Sequence, residues 1–380
     1  MISQSQDGSY ISILAKALAE QMCLLTIFTG KLPEHVDAPI ETIASVKYDS
    51  TSFKGRLQTW HGFVKDAKLY LKEHIDDFEM VMFTSNPPIN QSLVRFAQAK
   101  AKKCIYLVWD IYPDCIEASF GKKVSLITSA WRKRNAQMYG HCDAVLTIGD
   151  VMKGVMEKSY PGLNIQVLPY HTDTQFIRPI PESENSFAKE YCLLGKKVFM
   201  YSGKMGFGHG FEEILAVAEK LKNEAGIAFV FIGFGAAYEK VKEHVEQQKL
   251  HNTVVLPYQP LEVLPYSLGC ATASFITIKD KNDGLFLPSK VYDAMASGSA
   301  ILCISSGLND VSKMVEEKGI GLVVKTGDVD ALADAVLQIA RNGEKTQQYQ
   351  QNARRLAVQE YDIQAVTEKN SQMIAALLKK

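Results

Sequence analysis

The stretch VFMYSGKMGFGHGFEEILAVAEK, residues 198–220, joins a short apolar run to a segment of helical periodicity through a loop with four glycines. Glycines let a backbone approach a ligand closely, and the unpaired amides at a helix start attract anions. We therefore predict a strand, a loop and a helix, with Gly206 and Gly210 supplying amides and Lys204 and His209 supplying positive charge. The spacing matches neither of the common phosphate-loop patterns, so a plain strand-to-helix turn is the alternative.

The same alternation of strand-like and helical segments extends along the whole chain. Apolar runs rich in β-branched residues occur at Leu24–Phe28, Met80–Phe83, Ile105–Trp109, Ala144–Ile148, Ile165–Leu168, Val198–Tyr201, Ala228–Ile232, Thr253–Leu256, Ala273–Ile278, Ala300–Ile304 and Gly321–Val324. Continuous apolar strands between helices predict parallel sheets covered on both faces. We predict an α/β fold of two doubly wound Rossmann-like domains facing a cleft.

A proline-rich, polar stretch at Pro169–Glu184 marks the predicted boundary between the two domains. The predicted domains are 1–170, which would bind the acceptor, and 171–362, which would bind a nucleotide. A last helical segment, 363–380, is expected to pack back on the first domain.

Composition excludes several classes of protein. The 380 residues are 47% hydrophobic and 22% charged, which is a globular balance and not that of a disordered or fibrous chain. Lys+Arg and Asp+Glu both number 42, so the basic excess of a nucleic-acid-binding protein is missing and no nucleic-acid partner is expected. We find no transmembrane run and no signal peptide, and the seven cysteines lack metal spacing. These features predict a cytoplasmic protein with reduced thiols.

The segment DGLFLPSKVYDAMASG, residues 283–298, predicts a second anion-binding helix start. Ser289, after Pro288, is placed as the N-cap, and Gly298 is placed to end the helix. Lys290 and Asp293 are three apart and should share an exposed edge. A hydroxyl, free amides and a lysine suit a diphosphate, and an aspartate one turn on suits ribose hydroxyls. A capped helix with a surface Lys–Asp pair is the alternative, but the glycine loop in the same domain favours a nucleotide diphosphate.

Candidate acceptor residues lie in the first half. Asp110 and Asp114, in DIYPD after a strand, could orient an acceptor hydroxyl or accept its proton. Two turn-forming aspartates around a proline are the interpretation that the residues alone favour. Gly8 and Ser9 precede a helical pattern, although the run before them, 1–6, is short and polar for a strand.

Taken together, these motifs resemble family 4 glycosyltransferases of the GT-B fold, in particular those that build bacterial exopolysaccharide and O-antigen chains. The resemblance rests on YSGKMG…HGFEEIL, FIGFG, LPSKVYDAMASG and DIYPD. It implies that Lys204 and His209 contact the donor diphosphate and that Asp293 holds the ribose. It places Pro257 and Tyr258 at the nucleotide base, and it raises Asp110 and Asp114, with Gly8 and Ser9, to acceptor-side candidates. Leu285 stands where the family usually has a first glutamate.

The predicted function is transfer of a sugar from a nucleotide diphosphate to a hydroxyl of a glycan or lipid-linked acceptor. Lys204 and Lys290 would stabilise the leaving diphosphate, and Asp110 is the acceptor-side catalytic candidate. The resemblance implies retention of configuration, and we expect neither metal nor cofactor. Basic clusters at Lys100–Lys103 and Trp131–Arg134 are typical of solvated helix faces, with contact at the inner membrane face as the alternative. A nucleotide-sugar epimerase and a non-catalytic nucleotide-sugar-binding subunit are the competing functions.

Overall fold

A computed structural model of the protein describes residues 1–4, 25–31, 40–49, 52–120, 124–206 and 210–379. The chain forms two compact units. Unit 1 comprises residues 1–170, 284–287 and 364–380, and unit 2 comprises residues 171–283 and 288–363. The short segment Gly284–Leu287 therefore belongs to unit 1, although the sequence placed it in the second domain.

Unit 1 is built on a parallel sheet whose described strands follow the order β3-β2-β1-β4-β5-β6-β7. The strands are β1 Ile2–Ser3, β2 Leu25–Thr29, β3 Ile40–Ala44, β4 Met80–Thr84, β5 Lys103–Val108, β6 Ala144–Thr147 and β7 Ile165–Val167. Strand β1 pairs with both β2 and β4, so the run that looked too short and polar for a strand lies inside the sheet.

Helices cover this sheet. Those described are α1 Phe53–His74, α2 Gln91–Ala99, α3 Asp114–Phe120, α4 Ser125–Gly140 and α5 Asp150–Ser159. The start of α1 is fixed by Ser52, whose hydroxyl accepts from the Gly55 amide at 3.0 Å. Its buried side chains recur every three to four residues, as an amphipathic helix requires: Trp60, Phe63, Ala67 and Leu71.

Unit 2 contains a second parallel sheet, in the order β10-β9-β8-β11-β12-β13. Its strands are β8 Lys197–Lys204, β9 Ile227–Phe234, β10 Thr253–Pro257, β11 Ala273–Thr277, β12 Ala300–Ile304 and β13 Gly321–Val324. The helices are α6 Ser186–Glu190, α7 Phe211–Lys220, α8 Tyr238–Gln247, α9 Leu264–Gly269, α10 Lys290–Ala296, α11 Asp310–Lys318, α12 Val329–Arg341 and α13 Gly343–Glu360. The final helix, α14 Ile363–Lys379, falls almost wholly in unit 1.

The core of unit 2 fixes where its strands end. Phe199, Phe229 and Phe275, from β8, β9 and β11, are fully buried, with ring centroids 5.9–6.4 Å apart. All five residues of β12 are buried, as expected for a strand covered on both faces. The predicted α/β fold with two parallel sheets is confirmed, and parallel strands bring their carboxyl ends to one edge of each sheet, where ligands bind in such folds.

Candidate functional site

The glycine-rich loop of unit 2 is shorter than predicted, because β8 continues to Lys204. Gly203 and Lys204 pair in register with Gly233 and Phe234 of β9. Lys204 is therefore the last residue of a strand, with an exposed side chain, and Gly206 follows two residues later, half-buried. The predicted His209 lies outside the described residues.

Two glycines of β9 and its following turn make this extension possible. A methyl group at Gly233 would lie 1.9 Å from the carbonyl oxygen of Gly203, and one at Gly235 would lie 2.5 Å from that of Met205. The Met205 amide donates to the Phe234 carbonyl at 2.7 Å. These glycines permit a close backbone approach, which holds the end of β8 in place.

Helix α7 begins just after the loop. Gly210 occupies the N-cap position with a φ of 59°, in the left-handed region that glycine adopts readily. The first turn of α7 carries Glu212 and Glu213, whose charges interact favourably with the positive end of the helix dipole. An anion bound at this helix start would compete with those two carboxylates for the positive end of the dipole.

Ser289 occupies the N-cap position of α10, as predicted, but its hydroxyl does not cap the helix. Its backbone is already helical, with φ −57° and ψ −28°, and its exposed side chain makes no capping hydrogen bond. A capping hydroxyl needs an extended N-cap residue, and the preceding Pro288 leads directly into helical geometry instead. The predicted end of the helix is confirmed: Gly298 has a φ of 78°, and its amide donates to the Met295 carbonyl at 3.0 Å.

Lys290 reaches into unit 2 instead of lying at an exposed edge. Its Nζ sits 3.4 Å from the centroid of the Tyr201 ring, a cation–π contact. That nitrogen is buried and has no hydrogen-bond partner within the described residues. Burial lowers the pKa of the Lys290 ammonium well below its ordinary value. The predicted surface pair with Asp293 does not form.

Asp293 is instead bound by a residue distant in sequence. Its Oδ1 accepts a hydrogen bond from the buried Thr172 hydroxyl at 2.7 Å. Thr172 is itself fixed on both sides, because its amide donates to the Tyr361 carbonyl at 2.8 Å and its carbonyl accepts from the Ile363 amide at 3.1 Å. The Asp293 carboxylate therefore has a defined orientation.

The predicted base-contact residues lie at the carboxyl end of β10. Pro257 is the last residue of that strand, and Tyr258 is 62% exposed. The Tyr258 ring meets the half-exposed Phe234 ring edge to face, with centroids 5.6 Å apart. An exposed aromatic pair offers a surface on which a flat ring can stack.

In unit 1, Asp110 follows β5. Its amide and that of Trp109 donate to the Ser85 hydroxyl, at 3.2 and 3.0 Å. Asp110 also forms an antiparallel bridge with Phe286, supported by a 2.8 Å hydrogen bond from the Ile111 amide to the Leu285 carbonyl. Burial raises the pKa of the Asp110 carboxyl to about 6, so it can exchange a proton near neutral pH.

Asp114 has a structural partner. Its Oδ1 accepts from Nε and Nη2 of Arg132 at 3.1 and 3.0 Å, and Arg132 also donates to Glu117. This ion pair joins the start of α3 to α4. The other acceptor-side candidates, Gly8 and Ser9, lie outside the described residues.

The expectation of metal independence assumed that the sequence has no Asp-x-Asp spacing, but it contains one, Asp328–Asp330. Asp328 accepts from the Ala331 amide at 2.9 Å and so caps α12, whereas Asp330 forms an ion pair with Lys220. Among the residues that the structure describes, no cluster of His, Cys, Asp and Glu has metal-binding geometry. Within the same ranges, no helix is long and apolar enough to cross a membrane.

Comparison with known proteins relates the chain to glycosyltransferases. Residues 182–356, within unit 2, match the family described as Glycosyl transferases group 1. Unit 2 is therefore similar to the group 1 glycosyltransferases. The chain is 28% identical over 291 residues to WbjE of Pseudomonas aeruginosa, named as a probable glycosyltransferase, which covers 75% of this chain and 72% of WbjE. It is 23% identical over 222 residues to WcaI of Escherichia coli K12, named as a putative colanic acid biosynthesis glycosyl transferase, and the match covers 57% of this chain and 54% of WcaI.

Solved structures share the fold of this glycosyltransferase. Sucrose-phosphate synthase from Thermosynechococcus elongatus superposes with a TM-score of 0.78 at 14% identity, over 100% of this chain and 95% of the other. HepE from Anabaena, solved with UDP and glucose, superposes with a TM-score of 0.74 at 12% identity, over 99% and 98%.

The structure adds partners of the glycosyltransferase that the sequence did not reveal. Tyr201 lies beneath the Lys290 ammonium, and Thr172 orients Asp293. Tyr201 is the last residue of the predicted apolar run before the glycine loop, and that position was a usable signal. No local sequence pattern marks Thr172 as a site residue, because it lies 121 residues before its partner Asp293.

Proposed function

We propose that the chain transfers a sugar from a nucleoside diphosphate, with retention and without a metal, to a hydroxyl of a glycan or lipid-linked acceptor in bacterial surface-polysaccharide synthesis. The relative WcaI, named for colanic acid biosynthesis, supports the pathway class. HepE, solved with UDP and glucose, supports uracil as the base. The donor site would be built from Lys204, Gly206, His209, Gly210, Pro257, Tyr258, Pro288, Ser289, Lys290 and Asp293.

The observation that carries this proposal is the buried Nζ of Lys290, which a bound anion would hold in its charged ammonium form. An ammonium removed from water without a hydrogen-bond acceptor is costly to the fold, and the nearby Tyr201 ring compensates only part of that cost. An anion rich in oxygen atoms would supply the missing acceptors. A donor diphosphate beside Gly203, where an added methyl group would lie 3.7 Å from Cδ of Lys290, has this chemistry.

The chemistry follows from where charge develops. The bond between the sugar C1 and the diphosphate oxygen breaks, and a bond from the acceptor oxygen to C1 forms on the same face. Lys290 and Lys204 stabilise the negative charge that grows on the leaving diphosphate. The acceptor proton passes to a leaving-phosphate oxygen, so atoms and charge balance. Asp110 would orient the acceptor hydroxyl.

The test is donor turnover and UDP binding by Lys290→Ala. We expect kcat/KM to fall by about 30- to 1000-fold, equivalent to about 2–4 kcal/mol of transition-state stabilisation. Lys222→Ala, at an exposed lysine of unit 2, is the matched control and should retain wild-type values. Wild-type turnover in Lys290→Ala would refute the assignment. Epimerised sugar formed without an acceptor would instead establish the epimerase.

A further inference from the structure

Arg354, on α13, connects parts of unit 2 in a way that the proposed chemistry does not use. It is partly buried, and its Nη1 donates to the Ala296 carbonyl at 2.7 Å and to the Ile177 carbonyl at 3.0 Å. Its Nη2 donates to the Thr174 carbonyl at 3.0 Å. A guanidinium carries five donors in one plane, so a single side chain can bind backbone from separate segments. Here it joins helix α10 to a segment that precedes β8.

The contact with α10 is made at the end of that helix. Ala296 is its last residue, and the last carbonyls of a helix have no partner within the helix. The Arg354 cation supplies a donor there and interacts favourably with the negative end of the helix dipole. Asp293 lies three residues earlier, less than one turn away, so the position of the Ala296 carbonyl constrains that of Asp293.

The other two carbonyls belong to residues 172–179, which we call the flanking segment because it runs beside α10. Thr172 of this segment donates to Asp293, as described above. Farther along, a methyl group at Gly298 would lie 3.0 Å from Cγ of Pro179. The flanking segment therefore meets α10 at the middle of the helix and again two residues beyond its end.

The flanking segment and α10 are both packed against the residues that follow α13. The amide and the hydroxyl of Thr174 donate to Oδ2 of Asp362. Tyr292, a buried residue of α10, packs its ring against that of Tyr361, with centroids 4.8 Å apart. Arg354 bonds to the segment and to the helix, so its loss leaves fewer contacts to oppose a shift of one along the other.

We propose that Arg354 is a positioning residue for the donor nucleotide. By joining the end of α10 to the flanking segment, it holds the Asp293 carboxylate where the ribose hydroxyls of the donor bind. It acts through Asp293 and not by contact with the donor. The inference rests on the proposed donor site and deepens it, because it names what keeps the ribose-binding carboxylate in place. An arginine that only stabilises the fold is the alternative, and ribose recognition separates the two.

Calorimetric titration of the full chain with UDP and with 2′,3′-dideoxy-UDP tests the proposal, because the second ligand lacks both hydroxyls that Asp293 would bind. Hydrogen bonds to a charged group contribute enough that we expect the wild type to prefer UDP by about 10- to 100-fold. Arg354→Met keeps an unbranched side chain but has no donor, and it should lower this preference to about threefold or less. Its Kd for the dideoxy ligand should stay within about twofold of the wild-type value, because that ligand makes no hydrogen bond to Asp293.

Arg355→Met is the matched control. Arg355 is the exposed neighbour on α13 and donates to Oδ1 of Asn352 at 2.7 Å, so its loss should leave both affinities unchanged. Asp293→Ala should remove the preference, and adding Arg354→Met to it should cause no further loss, since both changes act on one contact. Arg354→Lys keeps a cation without the planar fork and should give an intermediate preference. That variant keeps the test available if the melting temperature shows that Arg354→Met is unfolded.

Several outcomes would overturn the inference. A preference for UDP that Arg354→Met retains in full is one. An equal loss of affinity for both ligands is another, because it indicates a purely structural role. Both would leave the proposed function intact. A wild type that binds the two ligands equally would also overturn the inference, since Asp293 then does not hold the ribose. A wild type that binds neither ligand would refute the proposed function itself, and this inference with it.

Discussion

Replacing Lys290 by methionine should make the protein more stable and abolish a pH dependence. Methionine keeps an unbranched side chain over the Tyr201 ring but carries no charge. In the folded protein, burial lowers the pKa of Lys290 well below its ordinary 10.5, whereas the unfolded chain retains the ordinary value. Between these two values the unfolded state binds more protons than the folded state.

The sign and size of the effect follow from that difference. The unfolding free energy of the wild type should rise with pH in this window, by up to about 1.4 kcal/mol per pH unit for one proton. Lys290→Met lacks this contribution. The variant should therefore be the more stable protein at the low end of the window, and its advantage should shrink as the pH approaches 10.5.

Urea unfolding at pH 7.5, 8.5 and 9.5, without UDP, measures this directly, because other titrating groups cancel in the difference between the two proteins. A change of 1 kcal/mol corresponds to about 2–4 °C in Tm for a unit of this size, so thermal unfolding is an independent check. Lys222→Met, at an exposed site, is the control and should run parallel to the wild type. If the curve for Lys290→Met also ran parallel to that of the wild type, the lowered pKa that we attribute to burial of Lys290 would be refuted.

Three further predictions concern other parts of the molecule. Asp110→Asn should lower turnover about 100-fold and remove the rise in rate through pH 6, where the wild-type carboxyl ionises; a rise kept in the variant assigns that titration elsewhere. Thr172→Val should raise the donor KM about tenfold at unchanged kcat, because Asp293 loses a hydrogen bond to its charge, and Thr172→Ser should restore it; equal KM values would contradict this. Gly233→Ala should lower the urea-unfolding free energy by about 2–4 kcal/mol, since its methyl meets a carbonyl oxygen at 1.9 Å, whereas Gly226→Ala has open space and should cost little.

Periodicity predicted most of the strands because buried parallel strands are continuous apolar runs. The strand Ala300–Ile304 was predicted with its observed bounds for this reason. Ile40–Ala44 was missed, since it lies at the sheet edge, is half exposed and contains Glu41. Ile2–Ser3 was undervalued because two residues carry no periodic signal.

The sequence predicted which residues belong to the candidate site, but it did not predict which side chains contact one another. The sequence placed Lys290 and Asp293 on one helix, and helical spacing suggested an exposed pair. The fold instead directs Lys290 to Tyr201 and Asp293 to Thr172, partners that come from other segments of unit 2. Such pairings depend on tertiary packing, so the spacing of residues along one helix does not predict them.

A crystal structure with UDP bound tests the central claim most directly. The account predicts diphosphate oxygens about 3 Å from Nζ of Lys290 and from the backbone amide of Gly210. A diphosphate bound away from Lys290, with that ammonium still lacking a hydrogen-bond acceptor, would contradict it.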